Sequence, residues 1–294
     1  MMNHIVIIGA SSSGHNLAFK IRERNKGCKI TLISEEGYLA YDHLRLADFI
    51  SGTISERDVF LCNEDDYLSQ DINFLKNKKV ASINIQRRLL YFKDKGNINY
   101  DILIIASGRS PTILDIPGAR KEGAYRLYTL DDAKEFLKRY IASAVCIVGS
   151  SSFALKIAEV VSEKYGVETK ILSPAVFNLA DLPPKSEVIN DTLAEVIGEG
   201  EVQAVKLTSG KVLGVSAVLF MDNYKANIDF LKNADIQIKE DCIAVNGLMA
   251  TNYDNIFACG SVVGRDSLAV SLMLADNITN RLGQEDAGNI SAVK

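Results

Sequence analysis

The sequence predicts an α/β chain with two parallel-sheet units. Three observations carry that reading. Residues 5–14, IVIIGASSSG, run four apolar residues into a loop of small residues, and His15–Arg24 follows with Leu17, Ala18 and Ile21 at helical spacing. Residues 145–154, VCIVGSSSFA, repeat that arrangement. KITLIS, ending at Ser34, and ETKILS, ending at Ser173, then follow the two copies at nearly the same interval. Two copies of one strand–loop–helix–strand unit are an internal repeat, a stronger signal than either loop alone.

Strand, small-residue loop and helix open a dinucleotide-binding unit. Gly9 makes the turn, and Gly14 lets the helix pack close to the strand. Ser11, Ser12 and Ser13 line the loop, where helix N–H groups and the helix dipole hold phosphates. Ser11 departs from the middle glycine of G-x-G-x-x-G, and its hydroxyl can donate to phosphate. The second strand ends at Glu35, about where an acid accepts hydrogen bonds from a ribose. The second copy is poorer. Gly149 is kept, Ser151 stands for the second glycine and Ala154 for the third. Pro174 faces Glu35 in the alignment of the two copies, and no arginine lies nearby for a 2′-phosphate, so this site is expected to bind weakly.

Composition bounds the rest. The 294 residues suit about two domains, and 47% hydrophobic with 24% charged residues describes a globular chain. A net charge of −4 leaves no electrostatic footprint for nucleic acid. No apolar run approaches the ~18 residues of a membrane span. MMNH leads straight into the first strand, so no signal peptide is expected and the reading is cytoplasmic. The cysteines at 28, 62, 146, 242 and 259 are scattered without C-x-x-C or zinc spacing, and the three histidines are scattered too. Reduced thiols and no metal site are expected.

Along the chain, residues 37–61 read as an excursion out of the sheet. Asp65–Ser69 reads as a short helix and Ile72–Leu75 as a strand. VASINI, RRLLYF and GNINY form a small antiparallel meander with a turn at Lys95-Gly96. DILIIA, Asp101–Ala106, suits a strand buried on both faces. Pro111 and Pro117-Gly118 mark a domain crossing. Thr129 caps a helix that runs to about Tyr140. Residues 174–201 hold no clean long helix. Val202–Leu207, Lys211–Leu213 and Ser216–Met221 read as a second meander. Asn227–Asn233 reads as a helical turn and Ile243–Val245 as a short strand. Asn255–Gly260 is a buried strand, and Leu268–Asn280 a closing helix.

With these motifs in place, the chain resembles the pyridine nucleotide–disulfide oxidoreductase superfamily, within it the NADH:rubredoxin and ferredoxin reductases. The resemblance rests on GASSSG with Glu35, Tyr41–Asp48 against Y-x-R-P-R-L-x-E, YDILIIASG against Y-D-x-L-I-I-A-T-G, GSSSFA, and TNYDNIFACGS against T-x-x-x-x-I-F-A-x-G-D. It implies two Rossmann-like domains, an FAD domain of residues 1–110 and 240–294 with an NAD(P) domain of residues 111–239 inserted, each with a small β-meander. It implies that Gly9, Ser12, Ser13 and Gly14 hold the FAD pyrophosphate, that Glu35 takes the ribose and that Val80 meets the adenine through its backbone. Arg45 and the Ala106-Ser107-Gly108-Arg109 turn would lie near the cofactor, and Gly260 and Ser261 would face the ribityl chain. Gly149 and Ser151 would belong to a weaker NAD(P)H site.

Departures from the family pattern shape the functional expectation. Ser261 replaces an aspartate, His43 replaces an arginine, the stretch between Ser173 and Val202 looks trimmed, and nothing after the closing helix resembles a C-terminal interface domain. No redox-active cysteine pair is present. The resemblance therefore implies an FAD oxidoreductase that takes hydride from NAD(P)H without a cysteine relay. Its acceptor would be a rubredoxin- or ferredoxin-like protein, a quinone or oxygen. The alternatives are a flavin-carrying electron-transfer or docking subunit with a degraded NAD(P)H site, and a fold relic without FAD, which Ser11 and Ser261 motivate. No catalytic side chain is assigned, and His43, Arg45 and Asp48 are minor candidates for tuning the flavin or meeting a partner.

Overall fold

The computed structural model describes residues 3–139, 141–173, 182–264 and 268–291. The chain divides into two compact units, one of Met1–Tyr41, Phe60–Arg109 and Ala226–Lys294, the other of Asp42–Val59 and Ser110–Lys225.

The first unit is a five-stranded parallel sheet in the order Ile256–Ala258, Ile102–Ile105, His4–Ile8, Lys29–Ile33, Ile72–Leu75. From Ile5 onward its central strand is apolar because both faces are covered. Ile5 and Ile7 pack with Leu17 and Ile21 of helix Ser12–Arg24 and with Leu274 and Ile278 of helix Leu268–Ser291. Val6 and Ile8 point the other way, onto Leu90, Tyr100 and Phe230. The strand period of two thus serves two cores. Each fully buried Leu or Ile stabilises by about 1.5–3 kcal/mol. The expected meander is present as Val80–Asn84, Leu89–Phe92 and Asn97–Asn99, with Lys95 and Gly96 at positive φ in the second turn.

The second unit repeats the plan, with parallel strands in the order Ser186–Ile189, Thr169–Leu172, Val145–Val148, Ala217–Phe220, Ala124–Arg126. Helix Ser152–Lys164 follows the Val145–Val148 strand, and helix Leu130–Leu137 begins in a capping box between Thr129 and Asp132. That helix stops before the expected Tyr140, which lies outside the described residues.

The stretch Asp42–Val59 leaves the first sheet, as expected, and groups with the second unit. Helix Arg45–Ser51 buries Leu46, Ala47 and Ile50, and its Ile50 carbonyl accepts from Lys164 Nζ at 2.5 Å. Glu56, in helix Glu56–Val59, pairs with Lys134 at 2.7 Å. One turn of helix carries too short a pattern to name its partner. Other expectations need correction. Residues 226–239 fall with the first unit rather than the second. The stretch read as trimmed contains a full parallel strand, Ser186–Ile189, while 174–181, Pro174 included, lie outside the described residues. The second meander is Leu193–Ile197, Ala204–Leu207 and Val212–Gly214, and Ala217–Phe220 belongs to the parallel sheet instead. Its first strand escaped notice because an irregular register between Leu193 and Glu195 breaks the alternation. The closing helix runs on to Ser291, past the end of its apolar pattern.

Candidate functional site

In the first unit, the carboxyl ends of three neighbouring strands meet the start of the first helix. Leaving His4–Ile8, Gly9 adopts φ +103° and donates its N–H to Ile33 O at 2.9 Å. A Cβ on Gly9 would stand 2.2 Å from Ala106 O, and one on Gly14 only 1.9 Å from Gly9 O. The loop therefore lies flat on the strand ends, and the helix starts hard against it. Ser11 occupies the N-cap without a side-chain cap bond, and the first turn carries no acid. An anion at this end would meet the helix dipole with no carboxylate competing for it.

The neighbouring strand Ile102–Ile105 leads into Ala106-Ser107-Gly108-Arg109. Ala106 N donates to Ile8 O at 2.7 Å, which locks this turn beside the first loop. Asn227 holds it from the other side, its N–H on Gly108 O at 3.0 Å and Nδ2 on Ser107 O at 2.9 Å. Ser107 Oγ is buried and has no hydrogen-bond partner. The third turn follows Ile256–Ala258. Gly260, at φ +79°, abuts Ser13, whose Oγ would lie 2.8 Å from a Cβ there. Ser261 Oγ accepts from Arg109 N at 3.2 Å, and Arg109 Nη2 pairs with Asp241 at 3.2 Å. Thus Gly9, Ser11, Ser12, Ser13, Gly14, Ala106, Ser107, Gly108, Arg109, Gly260 and Ser261 form one continuous rim.

Glu35 lies further along the same sheet edge, exposed and in an ion pair with Lys79. Val80 is buried by its side chain in the core beneath the meander. Tyr41 Oη donates to the neighbouring Glu36 at 2.7 Å. Asn227 and Asp241 were missed by sequence reasoning. Asn227 opens the predicted helical turn and Asp241 lies in no motif, and no local signal in either marked a contact with the Ser107–Arg109 turn.

The residues of this rim fit a dinucleotide. Two glycines are demanded by close backbone approach, a helix start lacks a side-chain cap, and a buried hydroxyl lacks a partner.

The second unit repeats the hydrogen-bond plan with different furnishings. Gly149, at φ +132°, donates to Leu172 O at 3.1 Å, and Met221 N donates to Val148 O at 2.9 Å. These match the Gly9 and Ala106 bonds one for one. Here, however, Ser151 caps its own helix, its Oγ accepting from Ala154 N at 3.2 Å. Asp222 lies against the glycine, with its Cβ 2.9 Å from where a Gly149 Cβ would be. This loop fits a diphosphate less well than the first.

Arg45, His43 and Asp48 also fall in the second unit. His43 stands edge-on to Tyr128 at 4.3 Å between centroids, and Tyr128 edge-on to Tyr224 at 5.8 Å. The five cysteines are free thiols, and Cys146 is pushed up to about 12 by burial. Among the described residues, no group of three or more His, Cys, Asp or Glu is placed to hold a metal ion, and no helix is long and apolar enough to cross a membrane.

Comparison with known proteins agrees with this architecture. A family model described as pyridine nucleotide-disulphide oxidoreductase matches residues 3–181 and 187–280. The NADH oxidase of Methanocaldococcus jannaschii is 28% identical over 288 residues, which cover 88% of this chain and 62% of that protein. The chain thus spans less than two thirds of that oxidase. The rubredoxin-NAD(+) reductase of Pseudomonas putida is 24% identical, covering 95% of this chain and 77% of that protein. The crystal structure of the covalent putidaredoxin reductase–putidaredoxin complex superposes with a TM-score of 0.84 at 20% identity, over 95% of this chain and 75% of that one. With a family match across nearly the whole length and two repeated dinucleotide-type units beneath it, the chain belongs to the pyridine nucleotide-disulphide oxidoreductase family.

Proposed function

We propose that this chain is an FAD-dependent oxidoreductase that takes reducing equivalents from NAD(P)H. It passes them to an electron-transfer protein of the rubredoxin or ferredoxin kind, or to a small acceptor, without a redox-active cysteine pair. The observation that carries this reading is the rim of the first unit. Three strand-end turns converge there on a helix start without a side-chain cap, around the buried, unpartnered Ser107 hydroxyl. Relatives named as an NADH oxidase and a rubredoxin-NAD(+) reductase support the direction of electron flow.

When bound, FAD supplies the hydride-accepting and electron-delivering chemistry. The protein's own part is to bind and orient. The N–H groups at the start of helix Ser12–Arg24 hold the pyrophosphate. Gly9 and Gly14 keep the backbone close enough to do so. Glu35 would accept hydrogen bonds from the ribose hydroxyls. Ser107 Oγ, Gly260 and Ser261 line the path towards the ribityl chain, with Arg109 anchored on Asp241 at its edge.

Purification and reconstitution with FAD test the reading directly. A flavin absorbance spectrum that bleaches on anaerobic addition of NADH or NADPH is expected. No retained flavin would refute it. Retained flavin without bleaching would favour a second reading, a flavin-carrying electron-transfer subunit. The helix cap supplied by Ser151 and the acid beside Gly149 favour that reading.

A further inference from the structure

The two units can be aligned by their strand registers rather than by their sequences. Ile8 pairs with Ile105 in the first, and Val148 pairs with Phe220 in the second. Stepping outward from both pairs, Ala106 corresponds to Met221 and Ser107 to Asp222. The hydrogen bonds agree, since Ala106 N and Met221 N donate to Ile8 O and Val148 O respectively. Beside the first glycine loop the chain therefore carries a small neutral residue, and beside the second it carries a carboxylate. The backbone on both sides of Asp222 is held: Met221 N donates to Val148 O, and Thr112 Oγ1 donates to Asn223 O at 2.9 Å. Asp222 is exposed, and its Cβ lies against Gly149.

We infer that Asp222 sets the affinity of the second loop for pyridine nucleotide, its carboxylate opposing the diphosphate beside Gly149. The inference rests on the reading of the second loop as the NAD(P)H site. The charge acts on a ligand that brings two negative charges of its own, and a like charge beside them at an exposed position costs about three- to tenfold in affinity at moderate salt. The consequence is a reductase whose nicotinamide dinucleotide binds loosely, through helix N–H groups working against a neighbouring acid. A weak site of this kind favours exchange of the spent dinucleotide over its retention.

The test is calorimetric titration of NADH into the FAD-reconstituted full chain, comparing wild type with Asp222→Asn and Asp222→Ser. Glu163→Gln, an exposed position near the far end of the same helix, controls for net charge. Both Asp222 variants should bind about three- to tenfold tighter than wild type, with Glu163→Gln unchanged. The gain should shrink as salt is raised from about 20 to 500 mM, because the opposition is electrostatic. Equal affinities in wild type and both variants at low salt would overturn the role of Asp222 while leaving the NAD(P)H site standing. A gain that does not respond to salt would also overturn it, since packing rather than charge would be responsible. Absence of any NADH titration in all four proteins would instead remove the NAD(P)H reading itself, and the inference with it.

Discussion

Replacing Gly14 by alanine probes whether the first loop depends on close backbone approach. The added Cβ would stand 1.9 Å from Gly9 O, 3.0 Å from Gly9 C and 3.5 Å from the Ala106 side chain. The first distance is more than an ångström short of ordinary van der Waals separation, and the atom met is backbone, which has no rotamer to escape into. The start of helix Ser12–Arg24 must therefore back away from the loop. Overpacking of this kind costs about 1–3 kcal/mol. At roughly 2–4 °C per kcal/mol for a chain of this size class, Tm should fall by about 2–12 °C. The displaced helix start also carries its N–H groups away from the proposed pyrophosphate position, so FAD affinity should fall by about tenfold or more. Thermal unfolding of the flavin-free protein and fluorescence titration with FAD read the two effects separately. Gly247→Ala is the control, because nothing lies within 4 Å of its Cβ position and its backbone conformation suits any residue. That variant should stay within about 0.5 kcal/mol of wild type. A Gly14→Ala protein with wild-type Tm and flavin affinity would show that the packing at this loop does not control the site.

Three further expectations follow from single residues. Ser107→Ala removes a buried hydroxyl that has no partner, so it should stabilise the flavin-free protein by about 1 kcal/mol while weakening FAD about two- to tenfold; a variant less stable than wild type would mean that the hydroxyl is satisfied within the protein. Burial pushes the His15 imidazole down to about 4 from 6.5, so unfolding takes up a proton in that window, and stability present in full above pH 6.5 falls as pH drops towards 4, by on the order of 1 kcal/mol per pH unit. His4 is shifted in the same direction by burial, so His15→Gln should reduce the slope of Tm against pH without abolishing it, and an unchanged slope would be the contrary result. Changing Cys62 and Cys242 to serine and the buried Cys28, Cys146 and Cys259 to alanine should leave NAD(P)H-to-acceptor transfer largely intact. Activity lost in one of the single variants at normal stability and flavin content would mean that a cysteine takes part.

Much of the candidate site's local structure was legible because its pieces are local. A glycine forced by a strand-to-helix turn, a run of buried β-branched residues and a Thr129–Asp132 capping box each depend on neighbours a few residues away. Ser11, Ser12, Ser13 and Gly14 could be placed on a helix start for that reason, and Ala106–Arg109 at a strand end. Glu35 was placed correctly at the end of its strand, but its ion pair with Lys79 lies 44 residues off and left no trace in the pattern. The helix Arg45–Ser51 was equally invisible as a member of the second unit. Seven residues with four apolar positions say that a face is buried, not what buries it.

By itself, then, the amino-acid sequence determined the repeated α/β plan, the two glycine loops and the family to which they belong. Those properties follow from short-range sterics and from hydrophobic periodicity, both of which act along the chain. Only the tertiary structure decided what stands beside each loop. Ser107 and Asp222 lie 98 and 73 residues beyond the glycines they face. Each is brought there by the register of a parallel strand pair, Ile8 with Ile105 and Val148 with Phe220. Register is chosen by the packing of whole sheet faces against their helices, so a one-residue difference in it would place another side chain at the loop. That choice, made across the fold rather than along the chain, is what separates a loop flanked by a neutral hydroxyl from one guarded by a carboxylate.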